Sequence, residues 1–254
     1  MKSLLRNIIL SSIGNLKPIA NGVHILNSHY IGRKNLSPTV FRELLYKLSK
    51  HAEFIKIENA ILLIKEGKPI NKKLIAFTFD DGFEECYTKI APILKEFNTN
   101  AAFFINPGFI DGDTLYKNNF LTNIVHTPNK DPMSWDMIRK LHHDGFIIGN
   151  HTLDHKKLLG LTDLEIQKQI IDSKKIIEEQ INAPCNYFAW TYGRLTDINE
   201  LALNTALKTH KFVFSGDNYK KYYSFNNRVF NRRHIEGDWP IAHVKYFLSY
   251  TKEH

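Results

Sequence analysis

Leu74-Ile75-Ala76-Phe77-Thr78-Phe79-Asp80-Asp81-Gly82-Phe83 is the stretch that decides how this chain folds. Its first six residues form a short, nearly continuous apolar run, the pattern of a strand buried on both faces. The run ends on two acids and a glycine, which is turn chemistry. Downstream the pattern alternates. Glu84 to Phe97 predicts a helix, and Ala101 to Ile105 a second buried strand. Ser134 to His143 predicts a helix capped by Ser134 and stopped at Gly145, and Phe146 to Gly149 a third strand. Thr162 to Ile181 opens on the capping box Thr162-x-x-Glu165. Tyr187 to Trp190 predicts a strand, Asp197 to Thr209 a helix and Phe212 to Phe214 a strand. Alternation of this kind gives an α/β fold with a parallel sheet, either a barrel or an open doubly wound sheet. Both place their chemistry at the C-terminal ends of the strands.

Upstream, Pro38 to Ser49 has helical spacing in Phe41, Leu44, Leu45 and Leu48, followed by short apolar stretches to Ile64. No repeat, low-complexity tract or linker divides the 254 residues. The composition, 43% hydrophobic and 24% charged, is that of a globular chain and excludes a disordered or fibrous one. No apolar run reaches the roughly 18 residues of a spanning helix. With 34 Lys+Arg against 26 Asp+Glu the net charge is +8. The lysines come in scattered pairs such as Lys72-Lys73 and Lys220-Lys221, without the long block or motif of a nucleic-acid binder. Cys86 and Cys185 are too few and too far apart for a disulfide framework or a Cys-rich zinc site. The start, with Lys2 and Arg6, is positive like a signal peptide, but Asn7 to Leu16 is polar and no A-x-A site follows. The reading is an uncleaved start in a chain that is cytoplasmic or peripheral at the inner membrane face, with a short amphipathic helix as one means of peripheral membrane contact. A weak secretory signal is the alternative.

Three strand ends carry reactive side chains. Asp80 and Asp81 follow the first strand, so one carboxylate can hold a metal while the other takes a proton. His151 and His155 follow the third strand at a spacing that a helical turn would bring to one face. With Asp81 they make a set of two imidazoles and one carboxylate, of the kind that binds catalytic zinc. Trp190-Thr191-Tyr192-Gly193 ends another strand, where a glycine lets the backbone approach a ligand and offer an N–H to an oxyanion.

Taken together, Thr78-Phe79-Asp80-Asp81-Gly82-Phe83, Gly149-Asn150-His151-Thr152-Leu153-Asp154-His155 and Phe188 to Gly193 resemble the first three motifs of the polysaccharide deacetylase family, the NodB-like domain of carbohydrate esterase family 4. Phe212 to Ile235, with Gly216 and Asn231-Arg232-Arg233-His234-Ile235, is similar to its later region. The resemblance implies a distorted (β/α) barrel and metal-dependent removal of an N-acetyl or similar N-acyl group from an amino sugar in a glycan or glycan precursor. It implies Asp81, His151 and His155 as ligands of a divalent metal, Zn2+ first among several ions. Asp80 would be the general base and the Tyr192 backbone N–H an oxyanion donor. The third motif departs from the family form in having Thr191 for proline and Trp190 for tyrosine. The Leu-x-His setting of the usual general acid is poorly matched at Ala242-His243. Ile25 to Tyr30, with Leu36-Ser37-Pro38 to Phe41, resembles instead a branch with a permuted N-terminal histidine motif. His29 is therefore preferred as general acid, with His243 and His234 as alternatives. Arg233 is assigned to orient Asp80 or a substrate group. Trp135 and Trp239 are candidates for sugar stacking. A deformylase or other amidohydrolase on the same scaffold, and a degenerate carbohydrate-binding protein, are the competing readings. The chain is read as one catalytic domain, 1–254, with 1–70 an N-terminal extension packed on the barrel and 71–240 the deacetylase core.

Overall fold

The computed structural model describes residues 2–253, with the side chains of residues 2–6, 8 and 9 outside the description. Ten strands are present among the described residues: β1 (Gly22–Ser28), β2 (Glu53–Phe54), β3 (Lys73–Phe79), β4 (Ala101–Ile105), β5 (Ile147–Asn150), β6 (Tyr187–Ala189), β7 (Phe212–Ser215), β8 (Tyr223–Ser224), β9 (Val229–Asn231) and β10 (Arg233–His234). They form one sheet in the order β10-β1-β3-β4-β5-β6-β7-β9-β8, with β2 on the side of β3. All neighbours run parallel except the β8–β9 hairpin. β9 and β10 are separated by Arg232 alone. β9 pairs with β7, and β10 pairs with β1. One bent segment of chain thus joins both ends of the sheet and curls it into a distorted barrel.

The strands alternate their side chains between two apolar clusters. Ile75, Phe77, Phe79 and Phe103 pack with helices Pro38–Ser49 and Trp135–His143. Val23, Ile25, Leu74, Ala76, Ala102 and Phe104 pack with helix Ile57–Glu66. At the C-terminal ends the apolar pattern stops, and Ser28, Asp80, Asn106, Asn150, Ser215 and Asn231 are all buried there. These polar ends form the floor of the site.

β1 and helix Ile57–Glu66 are not evident in the sequence pattern. Val23-His24-Ile25-Leu26-Asn27 carries two polar residues inside a fully buried strand. Both have structural employment: His24 bonds to Ala20 O at 2.9 Å, and Asn27 lies beside Asp80. β1 pairs with β3 along its whole length, so part of segment 1–70 is a stave of the barrel wall rather than an addition to it. The predicted helices over 84–97 and 162–181 are present as Cys86–Glu96 and Asp163–Ile181, each containing one π-helical turn. The capping box at Thr162 and Glu165 forms as expected.

Residues Lys2–Leu16 form a helix against helix Ile241–Leu248. Gly14 permits the contact, because a Cβ there would meet Ala242 O at 1.8 Å. The side chains of Lys2 and Arg6, on which the expected membrane contact rests, lie outside the described residues. No helix among the described residues is long and apolar enough to cross a membrane.

A buried ion pair holds the loop after β1. Lys130 Nζ lies 2.7 Å from Glu85 Oε2, and both residues are almost fully buried. Glu85 Oε1 also accepts the Ile31 N–H at 2.6 Å. Removing Lys130 leaves buried Glu85 with only the longer pair to the part-exposed Lys89, 3.6 Å from the same oxygen. Lys130→Met is therefore expected to cost about 3–5 kcal/mol, read as a shift of the denaturant midpoint. The double variant K130M/E85Q keeps an acceptor for Ile31 and leaves no fully buried charge unpaired, since Lys89 is part-exposed and still donates to Leu36 O, so it should recover most of that loss. A midpoint unchanged in K130M would show that the pair contributes nothing.

Candidate active site

A cleft of about 320 Å3 opens at the C-terminal ends of the strands. The turn after β3 supplies both acids. Asp80 continues the strand, while Asp81 turns into the left-handed region at φ 73°, followed by Gly82 at φ 81°. This reversal directs the two neighbouring carboxylates to different partners.

Asp80 is gripped by Arg232. Its Oδ1 lies 2.7 Å from Arg232 Nη1 and its Oδ2 2.9 Å from Nη2, a bidentate pair. The guanidinium also donates to Thr78 Oγ1 at 3.0 Å and Ser215 O at 3.0 Å, and sits 5.0 Å over the Phe104 ring. Burial opposes the Asp80 carboxylate, but the charge of Arg232, with the neighbouring histidines, overrides it and holds the pKa below the usual carboxylate range. Arg233 does not take this position. It stacks between Phe247 at 3.6 Å and Tyr219 at 4.5 Å, outside the cleft. Successive residues of extended chain face opposite ways, so Arg232 and His234 share the cleft while Arg233 points from it. The assignment of Arg233 to Asp80 is corrected to Arg232.

Asp81, His151 and His155 come together as expected, though not on a helical turn. Thr152 and His155 both have positive φ, 66° and 56°, and residues 151–155 form an irregular loop. Asn106 Nδ2 donates to the carbonyls of His151 and Thr152. Asn150 Oδ1 accepts the Thr152 N–H at 2.9 Å and the Ser173 hydroxyl at 2.8 Å. Gln169 brackets Asp154, accepting its N–H at 3.0 Å and donating to its carboxylate at 3.1 Å. These bonds hold the strained backbone in place.

Asp81 Oδ1 is buried without a hydrogen bond, 3.2 Å from His155 Nε2 and 3.5 Å from His151 Nε2. An orphaned carboxylate oxygen facing two imidazole nitrogens fits a divalent cation in their midst. His151 Nδ1 is 2.7 Å from Ala189 O. That carbonyl can only accept, so the proton sits on Nδ1 and Nε2 presents its lone pair to the site. Burial pushes His151 down to about 4, against the pull of Asp80 and Asp81, which keeps the ring neutral. Burial also opposes the charge on Asp81, but His155, His29 and His151 outweigh it and lower the pKa. Asp81 and His151 thus favour the deprotonated state that a metal requires.

His29 lies on the opposite wall. Burial alone would lower its pKa. The hydrogen bond to Glu236 at 3.3 Å and the charges of Asp81, Glu236 and Asp80 prevail and raise it to about 9. The ring is thereby held as an imidazolium, the state a proton donor needs. His234, also on the cleft, is pushed down to about 4 by burial and by His29. His243 is outside the cleft, bonded to Ser11 Oγ at 3.1 Å. Tyr192 lines the cleft at φ 63°, its ring 5.1 Å from that of His155. Gly193 follows at φ 77°, and a Cβ on it would lie 2.9 Å from Gly216 Cα. Two backbones touch there, which only glycine allows. Trp190 is fully buried and gives its indole N–H to Arg194 O at 3.0 Å. Trp239 lines a groove that continues the cleft through Tyr30 and Arg33, whereas Trp135 is bonded to Asp111 elsewhere.

The family model for polysaccharide deacetylase matches residues 67–210, more than half of the chain. The chain belongs to the polysaccharide deacetylase family. It is similar to a peptidoglycan-N-acetylglucosamine deacetylase of Bacillus cereus, 28% identical over 117 residues that are 46% of this chain and 45% of that protein. It is also similar to a poly-beta-1,6-N-acetyl-D-glucosamine N-deacetylase of Staphylococcus aureus, 23% identical over 181 residues, 67% of this chain and 58% of that protein. The chain spans about half the length of the first curated relatives it matches. Among solved structures, IcaB from Ammonifex degensii superimposes with a TM-score of 0.71 over 92% of this chain and 99% of that one, at 18% identity. This likeness shows the fold, the distorted deacetylase barrel.

Sequence reasoning did not single out Glu236 or assign Arg232 to the base. The Arg-Arg-His-x-Glu run, 232–236, was the available signal. It becomes readable only once the strand parity of 231–234 is known.

Proposed function

We propose that this protein is a metal-dependent N-deacetylase that hydrolyses the N-acetyl group of an amino sugar in a glycan. The observation that carries the reading is Asp80, ionised and fixed by Arg232, in one cleft with the Asp81, His151 and His155 donor set and with a charged His29. Asp81, His151 and His155 would hold a metal that would supply Lewis-acid polarisation of the carbonyl and acidification of a water molecule. Zn2+ is the ion we favour, since two imidazoles and one carboxylate with open positions are a catalytic zinc set. Asp80 takes the proton of the attacking water as the water oxygen bonds to the carbonyl carbon. The Tyr192 N–H donates to the oxygen that becomes negative. His29 gives its proton to the nitrogen as the C–N bond breaks, so the amine leaves neutral, with acetate as the second product. Glu236 keeps His29 charged and oriented for that transfer.

The test is acetate release from N-acetylglucosamine oligomers by zinc-loaded protein, with the new amines counted in parallel. One acetate per amine is expected, and activity should vanish on chelation and return with zinc. Formate or ammonia as the product would move the enzyme to another amidohydrolase class. No carboxylate from any N-acylated glycan would end the reading.

A further inference from the structure

Across the cleft from the Asp81 trio lies a second group of similar composition, again two imidazoles and one carboxylate. Glu236 Oε1 is 3.3 Å from His29 Nδ1 and 3.3 Å from His234 Nε2. The two rings are 5.3 Å apart, the same spacing as those of His151 and His155. In each trio the three donor atoms lie within 4.8 Å of one another. The carboxylate is built into place. Glu236 Oε2 accepts the Ser28 hydroxyl at 2.8 Å, which leaves Oε1 facing the imidazoles. The backbone fixes the rest. β10 sets His234 opposite Asn27, and the Ile235 N–H donates to Asn27 O at 2.9 Å. Donors about 2.1 Å from one tetrahedral centre stand roughly 3.4 Å apart, close to the separations observed.

We propose that His29, His234 and Glu236 form a second divalent-metal site, weaker than the first, whose occupancy inhibits the enzyme. It is weaker because its imidazoles are 28% and 37% exposed, against 2% and 8% for His151 and His155, so water competes better for the ion. Inhibition follows from the ligands. A metal on His29 Nδ1 displaces the contact with Glu236 that orients the ring, and leaves only the far less acidic Nε2–H for the departing amine. The binding half of this proposal is independent of the reaction. The inhibition half rests on the deacetylase reading.

The experiment is equilibrium dialysis of the metal-free full chain against zinc, with metal analysis, alongside acetate release at each zinc concentration. Wild type should bind one tight equivalent that supports activity and a second, weaker one that removes it. His234→Gln should keep the tight equivalent, and its inhibition is read against its own rate with that equivalent alone bound. Its weak binding and its inhibition should both shift to zinc concentrations more than about tenfold higher. A cobalt titration gives the same count from absorption spectra. In the His151→Ala background the weak equivalent should survive, and in the H151A/H234Q double variant it should shift to the same higher zinc concentrations, which checks the site without any turnover. A second equivalent that binds H234Q as tightly as wild type overturns the proposal. So does inhibition unchanged in that variant. Failure of the deacetylase reading would show separately, as two bound equivalents in a protein that releases no acetate.

Discussion

Replacing Asp80 by Asn is expected to lower turnover on an N-acetylated glycan by at least about 100-fold, the low end of what a positioned general base contributes. The tight equivalent of metal should remain bound. Asparagine has nearly the same shape, so the turn into Asp81 is preserved, and Asp80 does not belong to the donor set. What disappears is the proton acceptor. A second consequence follows from Arg232, which is 1% exposed and loses the carboxylate it is paired with. An uncompensated buried guanidinium should destabilise the fold by about 3–5 kcal/mol, so a melting curve belongs beside the assay. Assays well below the new midpoint separate the two effects. Activity within tenfold of wild type in folded D80N would remove Asp80 from the role of base.

His151→Ala should give the complementary result, loss of metal and with it of activity. The ring is oriented by Ala189 O and presents Nε2 to Asp81. Loss of an outer-shell partner alone lowers metal affinity by roughly 10–100-fold. Loss of the ligand itself should exceed that, because only Asp81 and His155 of the trio would remain. Dialysed H151A is expected to contain no tight equivalent by metal analysis. A variant that holds the ion as firmly as wild type would exclude His151 from the metal site. The pair of variants is diagnostic because one loses turnover with the metal in place and the other loses the metal.

Much of this site is legible in the primary structure, for a definite reason. Asp80, Asp81, His151 and Tyr192 each follow closely on the end of a strand, and apolar runs mark those ends clearly. The parallel barrel then brings all the C-terminal ends to one rim, whatever the details of packing. The loop that holds His155 is less legible. A spacing of four suggests a helical turn, but positive φ at Thr152 and His155 and the brackets from Asn106, Asn150 and Gln169 bend it another way. β1 is hidden because its buried polar residues, His24 and Asn27, interrupt the apolar run that would have revealed it.

By itself the sequence determined the α/β alternation, the acid pair, the histidine pair and the family to which they belong. Only the tertiary structure decided between two adjacent arginines. Arg232 and Arg233 are indistinguishable in type, and a shift of one residue in an extended segment exchanges its faces. The pairing of β9 with β7 and of β10 with β1, with Leu26 opposite Arg233 and Asn27 opposite His234, fixes that parity. It turns Arg232 onto Asp80 at the closing seam of the barrel and sends Arg233 out against Phe247 and Tyr219. The same register carries His234 and Glu236 to His29, more than two hundred residues away in the chain but 3.3 Å from Glu236 in space. Local patterns cannot specify which distant strand closes a sheet, because that choice depends on non-local hydrogen bonding and packing.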